Sequence, residues 1–471
     1  MSRSNLAWLL GIAAVGIMGI AITQSAPLRA KDKDYDLVRL FVDVLDEVER
    51  KYVRELDDDA KRKLVEDMVN GGLERLDPHS AYINPKKFRQ FTKESRGKFG
   101  GIGIQVSTDR QSGVLTVISP LVGTPAYEAG ILAGDLILKI DGRSTENMPI
   151  AEAVDLIQGD PGQKLTLNVL HEGTKEPVDV DLTRAMIHVQ SVLGDVRRSD
   201  SPEDWDFMLD KENKIAYIRL MTFSETAADE LRKAVTQLQS DGVRGVILDL
   251  RLNPGGLLKE AVEVSDLFLP EGRIVSTRGR NGQEETYDAQ EKGTLLMPAS
   301  DYPMVVLINK YSASASEIVA AALQDHKRAV IIGERSYGKG SVQNVIRMEN
   351  GASALKLTTA SYWRPSGKNI HRFPDSKDGD EWGVKPNDGF DIAMKDEERL
   401  AYVIYRRERD IIHGKPGSPA PAPLKGVKEI NGKEKDKKPF VDRALNKALE
   451  FLRGEIKKVD AGPRAAEVHF G

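Results

Sequence analysis

Three nearly continuous apolar runs, each followed by turn-forming residues and a new pattern, constrain this chain more than any other feature. They are GVRGVILDL (242–250), PMVVLIN (303–309) and RAVIIGE (328–334). Runs this short without polar alternation belong to strands covered on both faces, as in a parallel sheet. The first leads through RLNPGG into an apolar helical pattern over 257–268, and the second leads into the helical SASEIVAAALQ (314–324). Strand, helix and strand in succession require crossover connections, so an α/β layer is expected. The turns after such strands are where chemistry collects.

The chain has 471 residues, 40% of them hydrophobic, which is enough for two or three domains with real cores. A net charge of −4 gives no basic field for nucleic acid, so no nucleic-acid partner is expected. Absence of cysteine excludes disulfides, thiol nucleophiles and cysteine metal sites. No His or acidic cluster has metal-ligand spacing, so neither metal nor cofactor is expected.

Arg3 precedes an unbroken apolar run over 6–22 and a polar segment, TQSAPLRAKDKD. Residues 1–30 are therefore expected to be an export signal or a membrane anchor, with the protein exported, periplasmic or extracytoplasmic. Seventeen residues are marginal for crossing a ~30 Å hydrocarbon core and long for a cleaved signal, so both alternatives stay open. Over 31–97 a helical region is expected, with Leu37, Leu40, Phe41, Val44, Leu45 and Val48 on one face and a second helix near 60–76. It suits a small helical domain or a dimerising arm. LDPHSAYINP (76–85) closes it as turn chemistry, with His79 a turn residue rather than a base.

FGGIGIQV (99–106), GVLTVISP (113–120), GTPAYEAGILAGDLILKIDG (123–142), the helical MPIAEAVDLIQG (148–159) and KLTLNVL (164–170) follow in order. Gly100, Gly101 and Gly103 can present successive N–H groups in a concave turn, which suits a terminal carboxylate. No lysine follows in Walker spacing, so a nucleotide cradle is not favoured. These segments resemble a PDZ domain over 98–184. The resemblance implies that Gly101, Ile102, Gly103 and Ile104 hold a peptide end while Val154 and Ile157 line its side-chain pocket.

Ser312, Ser314 and Ser316 lie in YSASASEIVAAALQD, and Lys339 and Gln343 lie in GERSYGKGSVQ. Serine becomes a nucleophile when a base removes its proton, and lysine can be that base only when neutral. Lowering its pKa from ~10.4 to ~8 costs roughly 3 kcal/mol and requires an apolar pocket. Gln343 takes no proton, so its role would be to orient the lysine amine. Ser314 to Glu317 also reads as a capping box, and spacing alone does not choose among the three serines. Asp325 and His326 are adjacent and diverge on a helix, which argues against a Ser/His/Asp relay.

LDPHSAYINP, the PDZ segments, DLRLNPGG, SASASEIVAAALQD, GERSYGKGSVQ and LKLTTASYWRPSGKNIH together resemble the carboxy-terminal processing proteases over about 35–393. That resemblance makes Ser314 the nucleophile, Lys339 the base and Gln343 its partner. It assigns the oxyanion hole to N–H groups of Ala315 and of Gly255 or Gly256, and it offers Arg184 as a relay from the PDZ groove. The implied architecture is multidomain α/β: a helical N-terminal segment, a β-rich α+β PDZ domain (98–184), a crotonase-like α/β serine protease core (185–400) and a helical C-terminal tail (401–471). The tail comprises a charged helix over 397–411, a Pro-rich linker, a lysine-rich run and a terminal helix from Pro439.

The function implied is an exported serine endopeptidase that captures exposed apolar C-termini and cleaves through an acyl-enzyme. Protein or peptide substrates with free C-termini are the expected partners, with an adaptor, membrane attachment and a homo-oligomer as further expectations. A non-hydrolytic PDZ scaffold is the alternative, and the intact Ser314 and Lys339 count against it.

Overall fold

A computed structural model describes residues 32–109, 112–198, 201, 204–411 and 440–460. The export segment expected over 1–30, and the Pro-rich linker and lysine-rich run within 412–439, lie outside the described residues. The chain forms two compact units, one ending at Arg75 and one beginning at Leu76.

The first unit contains α1 (Asp32–Lys51) and α2 (Asp58–Glu74). Asp57 caps α2 by accepting the Ala60 N–H at 2.8 Å. α2 has no buried residue, and Tyr35, Leu37 and Leu40 of α1 are exposed.

The second unit opens with β1 (Ala81–Ile83), which corrects the expectation that 76–97 belongs with the N-terminal helices. β1 pairs antiparallel with a strand far down the chain, in the register Tyr82↔Leu355. Such a long-range pairing leaves no mark in local periodicity.

A small sheet module follows. β2 (Lys98–Gly101), β3 (Ile104–Thr108), β4 (Leu115–Pro120), β5 (Leu136–Ile140), α3 (Ile150–Ile157), β6 (Lys164–Leu170), β7 (Val178–Thr183) and β8 (Ala185–His188) are its principal elements. The sheet order is β3-β4-β5-β6-β7, and β2 pairs separately with β8. Leu165, Leu167 and Val169 alternate inward along β6, the two-residue period of a half-buried strand. β3 is left at an edge, with α3 packed beside it.

The larger domain is built on β9 (Ile215–Leu220), α4 (Ala227–Ser240), β10 (Gly245–Asp249), α5 (Leu258–Asp266), the hairpin β11 (Arg273–Gly279) and β12 (Glu284–Asp288), β13 (Met304–Ile308), α6 (Ala315–Asp325) and β14 (Val330–Gly333). β9, β10, β13 and β14 are parallel neighbours in chain order. Crossovers that always step the same way carry their helices to one face. Ala216, Ile218, Leu248 and Val306 accordingly pack under α4, α5 and α6. The alternate residues Ile215, Tyr217, Ile247, Val305 and Leu307 point to the other face.

That second face is covered from the C-terminal end. After β15 (Ser341–Met348), β16 (Ser353–Trp363) and α7 (Asp396–Asp410), helix α8 (Arg443–Asp460) lays Ala444, Ala448, Leu452 and Ile456, an i+4 stripe, against the sheet. The expected boundary at residue 400 therefore falls inside α7. Tyr402 and Arg406 of α7 are buried, and Arg406 Nη1 donates to Asp195 Oδ1 at 2.9 Å. The segment expected as a tail completes the core instead.

Candidate functional site

The C-terminal ends of β10, β13 and β14 carry the turns that hold the expected residues, as open α/β sheets place their sites. The three serines after β13 differ sharply. Ser312 Oγ donates to Leu250 O at 2.8 Å and accepts from Asn309 N at 3.0 Å, while Ser316 Oγ donates to Asn253 O at 3.0 Å. Both residues are fully buried, and their hydroxyls tie the turn after β13 to the turn after β10. Among the described residues, the Ser314 hydroxyl makes no hydrogen bond. Ser314 sits at φ 56°, ψ −113°, outside the ordinary regions for an L-residue and just before the first turn of α6. Conformations of this kind cost about 1–3 kcal/mol and persist where the surroundings enforce them.

The turn RLNPGG is fixed by Asn253, whose Nδ2 donates to Leu220 O at 2.7 Å and whose Oδ1 accepts the Gly255 N–H at 2.8 Å. Gly255, at φ 102°, lies directly on Ser314. A Cβ there would meet Ser314 Cβ at 2.9 Å and Ala315 N at 3.0 Å. Its contribution is this close approach. The expectation that its own N–H serves an oxyanion is corrected, because Asn253 takes that proton. The N–H groups of Gly256 and Ala315 have no partner among the described residues, and the latter lies at the positive end of α6. Leu252, at φ 63°, keeps the turn in place through its N–H to Asn309 Oδ1 at 3.1 Å.

Under this turn, Arg251 is held by two carboxylates. Its Nη2 donates to Asp249 Oδ2 at 2.6 Å, and its Nη1 and Nη2 grip Asp442 at 2.9 Å each. All three side chains are buried.

Lys339 follows Gly338 after β14. It lines a cleft of about 850 Å³ with His79, Leu252, Pro254, Ala313 and Tyr337. Burial, then the nearby Lys356 charge, pushes its amine pKa below that of ordinary lysine, with Glu317 opposing. Its Nζ has no hydrogen-bond partner among the described residues.

Glu317 joins the two turns. Oε2 accepts the backbone N–H of Ser314 and of Lys339, each at 2.8 Å, and Oε1 accepts Ser336 Oγ and Gly338 N, each at 2.6 Å. Burial pushes its carboxyl up to about 7 against the pull of these bonds. The S-x-x-E spacing reveals Glu317 as a cap, but its second span to Lys339 has no local signal.

Gln343 stands in β15 beside a register irregularity. Its Nε2 donates to Ser341 Oγ at 2.8 Å and to Thr358 Oγ1 at 3.2 Å. The expected bond to the lysine amine is not formed, and among the described residues no hydrogen bond links Ser314 Oγ, Lys339 Nζ and Gln343. The amide's donor end is engaged instead by Ser341 of its own strand and by Thr358 across the hairpin in β16.

In the small module one of the two expected pocket residues, Ile157, turns into the core, and Val154 stays partly open. Ile102 and Ile157 are core residues, Ile102 wholly buried, whereas Ile104 of β3 and Val154 of α3 remain half-buried beside the free edge. Gly101 pairs with Ala185, and Gly103 at φ 76° abuts Thr124, where a Cβ would come within 2.4 Å. Arg184 does not reach the core as a relay. Its Nε, Nη1 and Nη2 donate to Ile157 O, Lys164 O and Leu156 O at 2.9, 2.8 and 2.7 Å, capping the C-terminus of α3. A cavity of about 720 Å³ lies between the module and the larger domain, and Leu252 borders both it and the Lys339 cleft.

Comparison with known proteins places these features in a family. The model of peptidase family S41 matches residues 214–387, and that of the PDZ domain matches 116–170. The chain is 38% identical over 444 residues to a carboxy-terminal-processing protease of Bartonella bacilliformis, with 93% of each chain covered. It is 36% identical over 341 residues to a carboxyl-terminal-processing protease of Synechocystis, covering 72% of this chain and 74% of that one. With the carboxy-terminal processing protease CtpA of Bacillus subtilis it shares 35% over 360 residues, covering 76% and 69%.

Proposed function

Because the chain belongs to the carboxy-terminal processing proteases, serine-type peptidases with a PDZ domain, we propose that Ser314 is its nucleophile and Lys339 its general base. The observation that carries this reading is the free Ser314 hydroxyl on a strained turn whose backbone shares one carboxylate oxygen, Glu317 Oε2, with Lys339.

Neutral Lys339 takes the hydroxyl proton as Oγ attacks the scissile carbonyl. Negative charge then develops on the substrate oxygen, where the unpartnered N–H groups of Ala315 and Gly256 stabilise it. Collapse expels the amine with the proton from Lys339 and leaves an acyl-enzyme, which water hydrolyses by the same sequence. Gln343 steadies the lysine. Substrate binds as an added strand between β3 and α3, its free carboxylate at the turn 102–103 after β2, and its chain passes Leu252 into the Lys339 cleft.

The remaining parts of the reading are export, residues 6–22 as signal or membrane anchor, and assembly with further copies of the chain. The apolar run in the sequence supports the first two, and the exposed Leu37 and Leu40 of α1 support the third. Cell fractionation of the full chain and of a variant lacking residues 1–30 tests the location.

The catalytic test uses purified protein and an unfolded substrate. Ser314→Ala, Lys339→Ala and Lys339→Arg each abolish cleavage, since arginine does not deprotonate. Amidating the substrate's C-terminus slows it. Cleavage by Ser314→Ala, or equal rates for free and amidated substrate, would overturn the corresponding part.

A further inference from the structure

The turn LDPHS carries a carboxylate that neither the peptide groove nor the serine–lysine pair uses. Asp77 Oδ1 accepts from His79 N at 2.8 Å, Ser80 N at 2.9 Å and Thr358 Oγ1 at 3.0 Å, and Oδ2 accepts from Ser80 Oγ at 2.6 Å. Thr358 Oγ1 in turn accepts from Gln343 Nε2 at 3.2 Å, and Thr358 N donates to Ser80 Oγ at 3.0 Å. We propose that Asp77 is a positioning residue for catalysis, which through Thr358 fixes which end of the Gln343 amide is offered to Lys339. This deepens the reading of Lys339 and Gln343 given above and rests on it.

The argument is one of direction. A carboxylate only accepts, so the Thr358 hydroxyl must spend its single proton on Asp77. Toward Gln343 its oxygen can then only accept, and the amide end that donates is Nε2. Oε1 is left free among the described residues, the acceptor that a lysine ammonium requires. Ser341 Oγ at 2.8 Å takes the second Nε2 proton and completes the selection. Burial would raise the Asp77 carboxyl, but bonds from Ser80, His79 and Thr358 outweigh it and keep the group below its usual range, so it stays an acceptor. Removing the carboxylate, as in Asp77→Ala, frees the Thr358 proton to turn toward Gln343 and lets the amide turn over.

The experiment measures kcat and KM on one peptide substrate for Asp77→Ala, Thr358→Val, Thr358→Ser and Gln343→Ala, alone and with Gln343→Ala as background. Asp77→Ala and Thr358→Val lower kcat about tenfold, the effect of one misdirected hydrogen bond, with KM within about twofold. Thr358→Ser keeps the hydroxyl and retains activity. In the Gln343→Ala background neither change lowers kcat further. Losses that persist in full in that background, or that fall on KM alone, would show a merely structural role and overturn the proposal. Should Asp77→Ala fail to fold, the Thr358→Val and Thr358→Ser pair decides the matter. Full activity in Lys339→Ala would sink the lysine-base reading and this proposal with it. An inactive Lys339→Ala beside an unimpaired Thr358→Val sinks this proposal alone.

Discussion

Glu317 Oε2 takes the backbone N–H of Lys339 at 2.8 Å while holding the Ser314 N–H at the same distance. One buried oxygen therefore sets the separation of two turns that come from different strands. Glutamine has only one accepting atom and can serve only one of the two donor pairs. Glu317→Gln should lower kcat about tenfold and reduce stability by about 1–3 kcal/mol, read from steady-state kinetics and denaturant unfolding.

The same carboxyl makes stability depend on pH. Its folded pKa is raised from 4.5 to about 7, so between those values the native state binds the proton more often than the unfolded chain does. Stability contributed by this group is present at low pH and falls as pH rises toward 7, by roughly 3 kcal/mol in all. Unfolding midpoints measured from pH 5 to 8 should show the decline in the parent protein and a shallower one in Glu317→Gln.

Lys339 acts as base only when neutral, and burial together with Lys356 lowers its pKa. The rising limb of the kcat/KM profile should therefore lie below the range of free lysine. Lys356→Gln removes a positive charge that opposes protonation of Lys339, so the limb moves to higher pH. A limb that stays in place or moves down would show that Lys356 does not act on the base.

Gly255→Ala puts a methyl group 2.9 Å from Ser314 Cβ and 2.7 Å from Ala313 O, at a φ of 102° that alanine resists. Displacing the nucleophile by a fraction of an ångström to 1 Å is worth up to about a hundredfold in rate. The variant should fold, bind a C-terminal peptide with unchanged affinity by titration, and turn over about a hundredfold more slowly.

Asp442 is one of two carboxylates neutralising Arg251 in the buried floor of the site. Asp442→Ala strands part of that charge and should cost about 3–5 kcal/mol in chemical denaturation. Loss of activity should track loss of folded protein.

The parallel sheet was readable because strands covered on both faces must be apolar throughout, as 242–250 and 303–309 are. The charged helix expected over 397–411 is close to the observed α7. Residues whose neighbours are distant in the chain were less readable. Nothing in LDPHS announces that Asp77 meets Thr358, and nothing around Asp442 announces Arg251, since such pairings depend on the completed topology. Ile157, expected in the side-chain pocket, lies in the core, because an apolar residue on a helix suits a groove and a core equally. Spacing left three serines equivalent, and only the bonds of Ser312 and Ser316 to Leu250 and Asn253 separate them from Ser314.

The clasp between Arg251 and Asp442 also joins residues that are made far apart in time. The strands, both catalytic turns and the peptide-binding module all leave the ribosome before residue 442. Until then Ile247 and Val305 lack the cover of α8, and Arg251, beside the RLNPGG turn, lacks its second carboxylate. A nascent chain therefore holds a half-made clasp and an uncovered sheet face until residues 442–460 have been added.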